Sequence, residues 1–128
     1  MELEDFIVKK NNCYLDALKK IDANKKGFVI VIDSNEKVVG TLTDGDIRRA
    51  IISGAKIDDN VSAACNKKYA YINNEREFVD VVDMLKNKPI DFLPVLNDKN
   101  ELVNIITKDA MHALMLKNIH PGMDTDFL

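Results

Sequence analysis

Near the start of the chain, apolar residues recur with the spacing of an amphipathic helix. The i, i+3, i+4 and i+7 positions are filled by Tyr14, Ala17, Leu18 and Ile21. Asn11 or Asn12 stands just before this pattern, and asparagine is a favoured helix N-cap. The pattern therefore predicts a short helix capped by one of these two asparagines.

Two strands and a second helix are predicted directly afterwards. Residues 28–32 form an apolar run that is short enough for a buried strand. The polar residues 33–36 supply a turn, and residues 37–42 return as a second strand. A short helix then ends at Ser53 and Gly54, and its apolar residues are Ile47, Ala50 and Ile51.

The chain contains an internal repeat with an offset of 64 residues. At that offset the two halves align without a gap from about residue 7 to residue 52. The identical pairs are Asp16 with Asp80, Phe28 with Phe92, Val31 with Val95, Val39 with Val103, and Thr43 with Thr107. The second half is therefore predicted to repeat the elements of the first.

The second copy has its own predicted helices and strands. Asn74 and Glu77 resemble a capping box before a helix with the apolar residues Phe78, Val81, Val82 and Leu85. Strands are predicted at 92–96 and 101–106 around a turn at 97–100, with a last helix at 110–116.

These elements predict an α+β fold of two repeats, each with the order helix, strand, strand, helix. Because a two-stranded sheet cannot bury both faces alone, we expect the repeats to pack sheet to sheet with pseudo-two-fold symmetry. The expected boundaries are 1–54 for repeat 1, 55–70 for a connecting segment, 71–117 for repeat 2, and 118–128 for a tail or linker start. Ile57, Val61 and Ala64 indicate a short helical turn within the connecting segment.

Glycines distinguish the two copies. Under the same offset, glycine in the first copy is replaced by Asp or Asn in the second: Gly27 with Asp91, Gly40 with Asn104, Gly45 with Asp109, and Gly54 with Asn118. Asn and Asp tolerate positive φ better than other non-glycine residues. Several of these pairs are therefore expected to mark left-handed or turn positions.

Composition narrows the class of protein. A net charge of −3, with no cluster of Lys and Arg, argues against a nucleic-acid partner. No apolar run is long enough to span a bilayer, and the acidic start differs from a signal peptide, so no membrane partner and a cytoplasmic location are expected. Cys13 and Cys65 lack metal-ligand spacing and fit buried free thiols better than a zinc site or a disulfide.

The most informative motif runs from Thr43 to Arg49, where the second strand meets a helix. A helix start with a hydroxyl from Thr43 and close backbone approach at Gly45 suits a phosphate. Asp46 suits a pair of ribose hydroxyls, and Arg48 or Arg49 could reach an anionic group. Two alternatives stay open: Asp44 or Asp46 caps the helix, or both bind a divalent metal.

The order of the elements and the motif from Val39 to Asp46, with its counterpart Asn104–Thr107, resemble paired CBS (cystathionine-beta-synthase-type) domains, or Bateman modules. The resemblance covers residues 7 to about 116. The Thr-Asp-Gly-Asp-Ile-Arg-Arg-Ala phrase is similar to CBS pairs attached to sugar nucleotidyltransferases and to arabinose-5-phosphate isomerases. The nearness of the first repeat to Met1 fits the first of these arrangements better.

The resemblance implies which residues bind a ligand. Thr43 is expected to bind phosphate and Asp46 to bind ribose, while Gly27, Phe28 and Ile30 flank the base. Asp44, Gly45 and Arg49 complete the candidate ligand-binding residues. The second copy offers Phe92, Pro94, Thr107 and Asp109, but Ala110 stands where the ribose Asp is expected. Pro94 removes a backbone donor and could leave a strand edge open to a base. One good site in the first repeat and a weaker one in the second are expected.

The resemblance also implies a regulatory function. The expected ligand is AMP, ADP or ATP, or a sugar nucleotide such as a CMP conjugate; no cofactor is required, and the partner is an attached or separate nucleotidyltransferase-like catalytic domain. A homodimer is expected, either with a ligand or as a structural module without one. An enzymatic function ranks last, because no nucleophile and base stand at catalytic spacing and neither His112 nor His120 has a partner.

Overall fold

The computed structural model describes residues 2–73 and 91–107. The chain divides into two compact units, Met1–Tyr69 and Ala70–Leu128. Each unit contains one three-stranded sheet. The mixed α+β class predicted from the sequence is confirmed.

The first unit contains two helices and three strands. After a 3-10 turn at Leu3–Phe6, its elements are β1 (Ile7–Lys9), α1 (Tyr14–Asn24), β2 (Phe28–Ile32), β3 (Val38–Thr43) and α2 (Asp44–Ile52). The middle strand β2 pairs in parallel with β1 and antiparallel with β3. Strand β1 was not predicted from the sequence, because three residues are too few to show an alternating pattern.

The second unit repeats this sheet at an offset of 64 residues. Its strands are β4 (Ile72–Asn73), β5 (Phe92–Leu96) and β6 (Leu102–Thr107), in the order β4-β5-β6. Phe92 pairs with Thr107 as Phe28 pairs with Thr43, and both hairpins shift register at the same place, between Val31 and Ile32 and between Val95 and Leu96. The repeat thus extends to the hydrogen-bonding register. The predicted helices around 78–85 and 110–116, the Asn74 capping box and the tail lie outside the described residues.

The two hairpin turns are built alike. Asp33 Oδ1 accepts the N–H groups of Asn35 and Lys37, at 2.8 and 3.0 Å. Asn97 Oδ1 accepts those of Lys99 and Glu101, both at 2.9 Å. The left-handed residues of these turns also correspond, at φ 64° for Glu36 and 62° for Asn100.

The glycine pairs behave differently from the expectation. Gly27 and Gly54 have positive φ, at 84° and 110°. Gly40 lies in β3 and Gly45 in α2, while Asn104 lies in β6, so these positions are not left-handed. The prediction of a left-handed or turn conformation is therefore wrong for Gly40 and Gly45.

Helix α1 is capped by Cys13 and not by Asn11 or Asn12. The Asp16 carboxylate accepts the Cys13 N–H at 3.0 Å and the Cys13 Sγ–H at 3.3 Å. The Asn12 side chain is used elsewhere, because its Oδ1 accepts the Lys9 N–H at 2.7 Å. An acidic residue at the third helical position therefore completes the cap from within the helix.

The core of the first unit lies between its sheet and its helices. It is formed by buried residues of both: Val8, Tyr14, Ala17, Ile21, Val29, Val31, Leu42, Ile47, Val61 and Cys65. Because side chains alternate along a strand, Phe28 and Ile30 lie on the other face of β2, together with Thr41 and Thr43 of β3. Both thiols are free, with Cys65 buried and Cys13 partly exposed.

The connecting segment packs on the edge of the sheet. A 3-10 turn at Val61–Ala63 buries Val61. Thr41 and Asn66 then exchange two backbone hydrogen bonds, at 3.1 and 2.7 Å, on the outer edge of β3. A β-carbon at Gly40 would lie 2.8 Å from the Asn66 carbonyl oxygen, so only glycine allows this approach. Within the described part of the chain, none of the helices has the length and apolar character needed to cross a membrane.

Candidate functional site

The candidate site lies at the end of the first sheet where β3 passes into α2. Phe28, the first residue of β2, pairs with Thr43, the last of β3. The Gly27 carbonyl oxygen accepts the Asp44 N–H at 2.9 Å. The register of one hairpin thus brings Gly27 and Phe28 beside the Thr43–Asp46 motif.

Thr43 and Asp46 form a reciprocal cap at the start of α2. Thr43 Oγ1 accepts the Asp46 N–H at 3.1 Å, and Asp46 Oδ2 accepts the Thr43 N–H at 2.9 Å. The capping alternative for Asp46 is therefore realised in the structure. At this helix start, the backbone N–H groups of Asp44 and Asp46 both have protein acceptors.

The two arginines of α2 have different partners. Arg49 Nη2 lies 2.8 Å from Asp46 Oδ1. Its guanidinium lies over the first turn of the helix, since a β-carbon at Gly45 would be 3.1 Å from Arg49 Nη1. Arg48 pairs instead with Asp44 at 3.6 Å, and both of those side chains are largely exposed.

The charge of Asp46 acts on the Cys65 thiol in the connecting segment. Burial raises the pKa of the Cys65 thiol, Lys67 opposes this rise, and the negative charge of Asp46 adds to it. Asp46 is therefore near enough to the connecting segment to influence it. Cys65 and Lys67 were not among the predicted site residues, because their approach depends on the pairing of Asn66 with β3.

An apolar surface adjoins the motif on the sheet. Phe28 is buried and stacks on Phe6, with ring centroids 5.2 Å apart and an interplanar angle of 25°. Ile30 is fully buried and pairs with Thr41. The predicted residues Phe28 and Ile30 thus share a face with Thr43, and both of their side chains are buried in this structure. Phe6 was missed, since it precedes the first recognisable pattern of apolar residues.

The described residues contain only part of the second predicted site. Phe92 pairs with Thr107, which is buried at the end of β6. Pro94 lies on the middle strand β5 and pairs with Ile105 of β6. It has no paired residue on β4, whereas the equivalent Ile30 of the first repeat pairs with Ile7 of β1. Asp109 and Ala110 lie outside the described residues.

Two other features bear on what the molecule can bind. Among residues 2–73 and 91–107, no group of three or more His, Cys, Asp or Glu side chains could hold a metal ion. A groove of about 380 Å³ lies beside α1, away from the motif, and is lined by Val8, Asn12, Asp16, Lys19, Lys20 and Ala23.

The sequence profile of the CBS domain matches residues 14–53 and 61–116. These two segments make up most of the chain and correspond to the two repeats. The chain therefore belongs to the CBS domain family, as a pair of CBS repeats.

Relatives of this chain differ in length. An uncharacterized 17.7 kDa protein of Acidianus ambivalens is 30% identical over 111 residues, which are 86% of this chain and 67% of that protein. The arabinose 5-phosphate isomerase GutQ of Escherichia coli is 26% identical over 92 residues, 72% of this chain but 29% of the isomerase. The chain thus spans less than a third of that enzyme.

Solved structures of CBS pairs share the fold. Staphylococcus aureus OpuCA has a TM-score of 0.78 at 18% identity, covering 89% of this chain and 94% of that one. CbpB in complex with c-di-AMP has a TM-score of 0.73 at 24% identity, with coverages of 89% and 78%. CBSX2 in complex with AMP has a TM-score of 0.71 at 23% identity, with coverages of 87% and 88%.

Proposed function

We propose that this chain is a regulatory module that binds an adenine nucleotide in its first repeat. One observation carries the proposal: a hydroxyl, a carboxylate and an arginine (Thr43, Asp46 and Arg49) meet an apolar strand surface at one end of the sheet. These groups match a phosphate, a ribose and a base, and the family membership supports their use together.

Each group has a role set by its chemistry. The Thr43 hydroxyl and the helix start bind phosphate, because a hydroxyl donates and the helix dipole is positive there. The Asp46 carboxylate accepts from the ribose hydroxyls. Gly27, Phe28 and Ile30 flank the base, while Asp44, Gly45 and Arg49 assist Thr43 and Asp46. Phe92, Pro94, Thr107 and Asp109 form a weaker second site, because Ala110 supplies no carboxylate.

The ligand is AMP, ADP or ATP. Support comes from CBSX2 and CbpB, whose structures contain AMP and c-di-AMP. A sugar nucleotide such as a CMP conjugate is the second candidate, favoured by the likeness of the motif to CBS pairs of sugar nucleotidyltransferases.

The module acts on a catalytic domain that is attached to it or associates with it. A ligand that prefers one arrangement of the two repeats shifts the partner toward the state that favours this arrangement, by its difference in affinity and no more. The match to arabinose 5-phosphate isomerase GutQ supports a sugar-phosphate enzyme as this partner. The module itself carries out no reaction.

A thermal-shift screen with AMP, ADP, ATP, c-di-AMP and CMP tests the proposal. A bound nucleotide at about 100 times its Kd stabilises the folded state by about 2.7 kcal/mol, which raises Tm by several degrees. Asp46→Ala should abolish this shift, whereas Asp22→Ala, which removes an exposed carboxylate from α1, should keep it.

The results separate three functions. If no nucleotide moves Tm, the binding function is wrong and a structural module is favoured. If Asp46→Ala responds like the wild type, the nucleotide binds at another place. Turnover of any of these nucleotides would instead indicate an enzyme.

A homodimer is proposed under either function. Several large apolar side chains of the first unit are exposed: Leu15, Ile51, Ile52 and Ile57. Leu15 and Ile57 are adjacent, since the Leu15 N–H donates to the Ile57 carbonyl at 2.9 Å. Sedimentation equilibrium should give twice the chain mass of 14.4 kDa, and a 14.4 kDa species at all concentrations would contradict the dimer.

A further inference from the structure

Both oxygens of the Asp46 carboxylate already have protein partners. Oδ2 accepts the backbone N–H of Thr43, which cannot leave without opening the start of α2. Oδ1 accepts from the Arg49 guanidinium at 2.8 Å. Each carboxylate oxygen can accept a further hydrogen bond, but the partner at Oδ1 is a mobile side chain and the partner at Oδ2 is the backbone, so Arg49 is the partner that a ribose can displace.

Arg49 is free to exchange its partner. Its side chain is 69% exposed, whereas that of Asp46 is 23% exposed. Exposed ion pairs of this kind contribute little to stability, so the contact can break at low cost. The carboxylate is held in place and the arginine is the movable member.

Gly45 directs the guanidinium over the helix start. A β-carbon at this position would be 3.1 Å from Nη1 and 3.4 Å from Nη2 of Arg49. With glycine there, the guanidinium covers the first turn, where the phosphate of a nucleotide would arrive. The neighbouring Arg48 lacks this placement, because it pairs with Asp44.

We propose that Arg49 is a displaceable latch that makes the site selective for phosphorylated ligands. In the free protein it occupies Oδ1 of Asp46. When a nucleoside phosphate binds, the ribose hydroxyls take Oδ1 and the guanidinium moves to the phosphate. A nucleoside without a phosphate also breaks the Asp46–Arg49 ion pair, but it supplies no anion with which the guanidinium can pair. The inference rests on the proposed nucleotide-binding function.

The latch predicts opposite effects on two related ligands. Arg49→Gln removes the competing charge, so adenosine should bind as well as before or better. AMP loses a charge-assisted contact to its phosphate, so its Kd should rise about tenfold or more. The preference of the site for AMP over adenosine should therefore fall by at least about tenfold.

Isothermal titration of AMP and adenosine into the wild type, Arg49→Gln and Arg48→Gln tests this role. Arg48→Gln is the matched control and should keep the wild-type preference. Raising the KCl concentration should weaken AMP binding more in the wild type than in Arg49→Gln, because salt screens the arginine–phosphate pair. Circular dichroism checks that the variants are folded.

The outcomes distinguish a failure of the proposed role of Arg49 from a failure of the proposed nucleotide-binding site. If the wild type binds AMP through Asp46 but Arg49→Gln keeps the same preference and salt dependence, the latch is wrong and the site stands. An equal loss of AMP and adenosine affinity also contradicts the latch, because it indicates a merely structural arginine. If the wild type binds neither ligand, the latch and the proposed function both fail.

Discussion

At the scale of single residues, the two repeats stabilise equivalent hairpin turns with different side chains, an Asp in the first and an Asn in the second. Asp33 in the first hairpin and Asn97 in the second each accept two backbone N–H groups through one side-chain oxygen. Only the carboxylate can titrate. The backbone hydrogen bond from Lys37 is the main cause that lowers the pKa of Asp33 below its ordinary value.

This difference predicts a pH dependence that one substitution removes. Because the folded state lowers the pKa of Asp33, its contribution to stability is present above the unfolded pKa of about 3.9 and is lost as pH falls through the folded value. Asp33→Asn keeps the acceptor oxygen and should lose this component. Urea unfolding from pH 7 to pH 2.5 should show a smaller decrease for the variant than for the wild type.

The reverse substitution is the control. Asn97→Asp places a carboxylate in the equivalent turn but beside Glu101, whose Oε1 accepts from Asn97 Nδ2 at 2.9 Å, so the variant should be less stable than the wild type at pH 7 and this loss should shrink as the carboxyl groups are protonated in acid. Unchanged profiles in both variants would show that these turns do not couple to pH.

At the scale of the elements, the pattern of apolar and polar residues predicted the strands that have a clear pattern of their own. The strands at 28–32 and 92–96 are confirmed, because continuous apolar runs between turn residues are unambiguous. The strand predicted at 37–42 is observed at Val38–Thr43, one residue later. The first strand of each sheet was missed, since its pairing with a strand more than 15 residues away leaves no local signal.

The candidate site shows the same limit. Thr43, Asp46 and Arg49 stand within two turns at the start of one helix, so their neighbourhood follows from the sequence. The cap by Asp46 was one of the alternatives open from the sequence. The pairing of Asp46 with Arg49 could not be predicted, because the choice of Arg49 over Arg48 depends on side-chain geometry. The approach of the connecting segment is set by a long-range bridge between Thr41 and Asn66.

That bridge makes Gly40 sensitive to substitution. In Gly40→Ala the new β-carbon would lie 2.8 Å from the Asn66 carbonyl and 3.0 Å from Cys65 Sγ. The connecting segment would have to move away from β3, which should cost about 1–3 kcal/mol of unfolding free energy. Urea denaturation measures this loss.

Gly45→Ala is the matched control for Gly40→Ala. Its β-carbon meets only the flexible end of Arg49, at 3.1 Å, and alanine favours a helix over glycine. It should be neutral or slightly stabilising. If Gly40→Ala were equally neutral, the close packing of the connecting segment on β3 would be wrong.

At the scale of the whole molecule, the two repeats share a backbone register but differ at the position of the proposed ribose-binding carboxylate. The hairpins agree from Phe28 with Phe92 to Thr43 with Thr107, including the irregularity before the turn. The carboxylate that is proposed to bind ribose is Asp46 in the first repeat, and Ala110 stands at the corresponding position of the second. Binding and regulation are therefore expected mainly through the first repeat.

The most direct test is a ¹H–¹⁵N NMR titration of the labelled chain with AMP. The account predicts that the amides of Gly27, Thr43, Gly45 and Asp46 shift together and saturate with one Kd, while that of Asn35 in the first turn stays in place. No shift at millimolar AMP, or shifts confined to the groove beside α1 at Asn12 and Asp16, would contradict it.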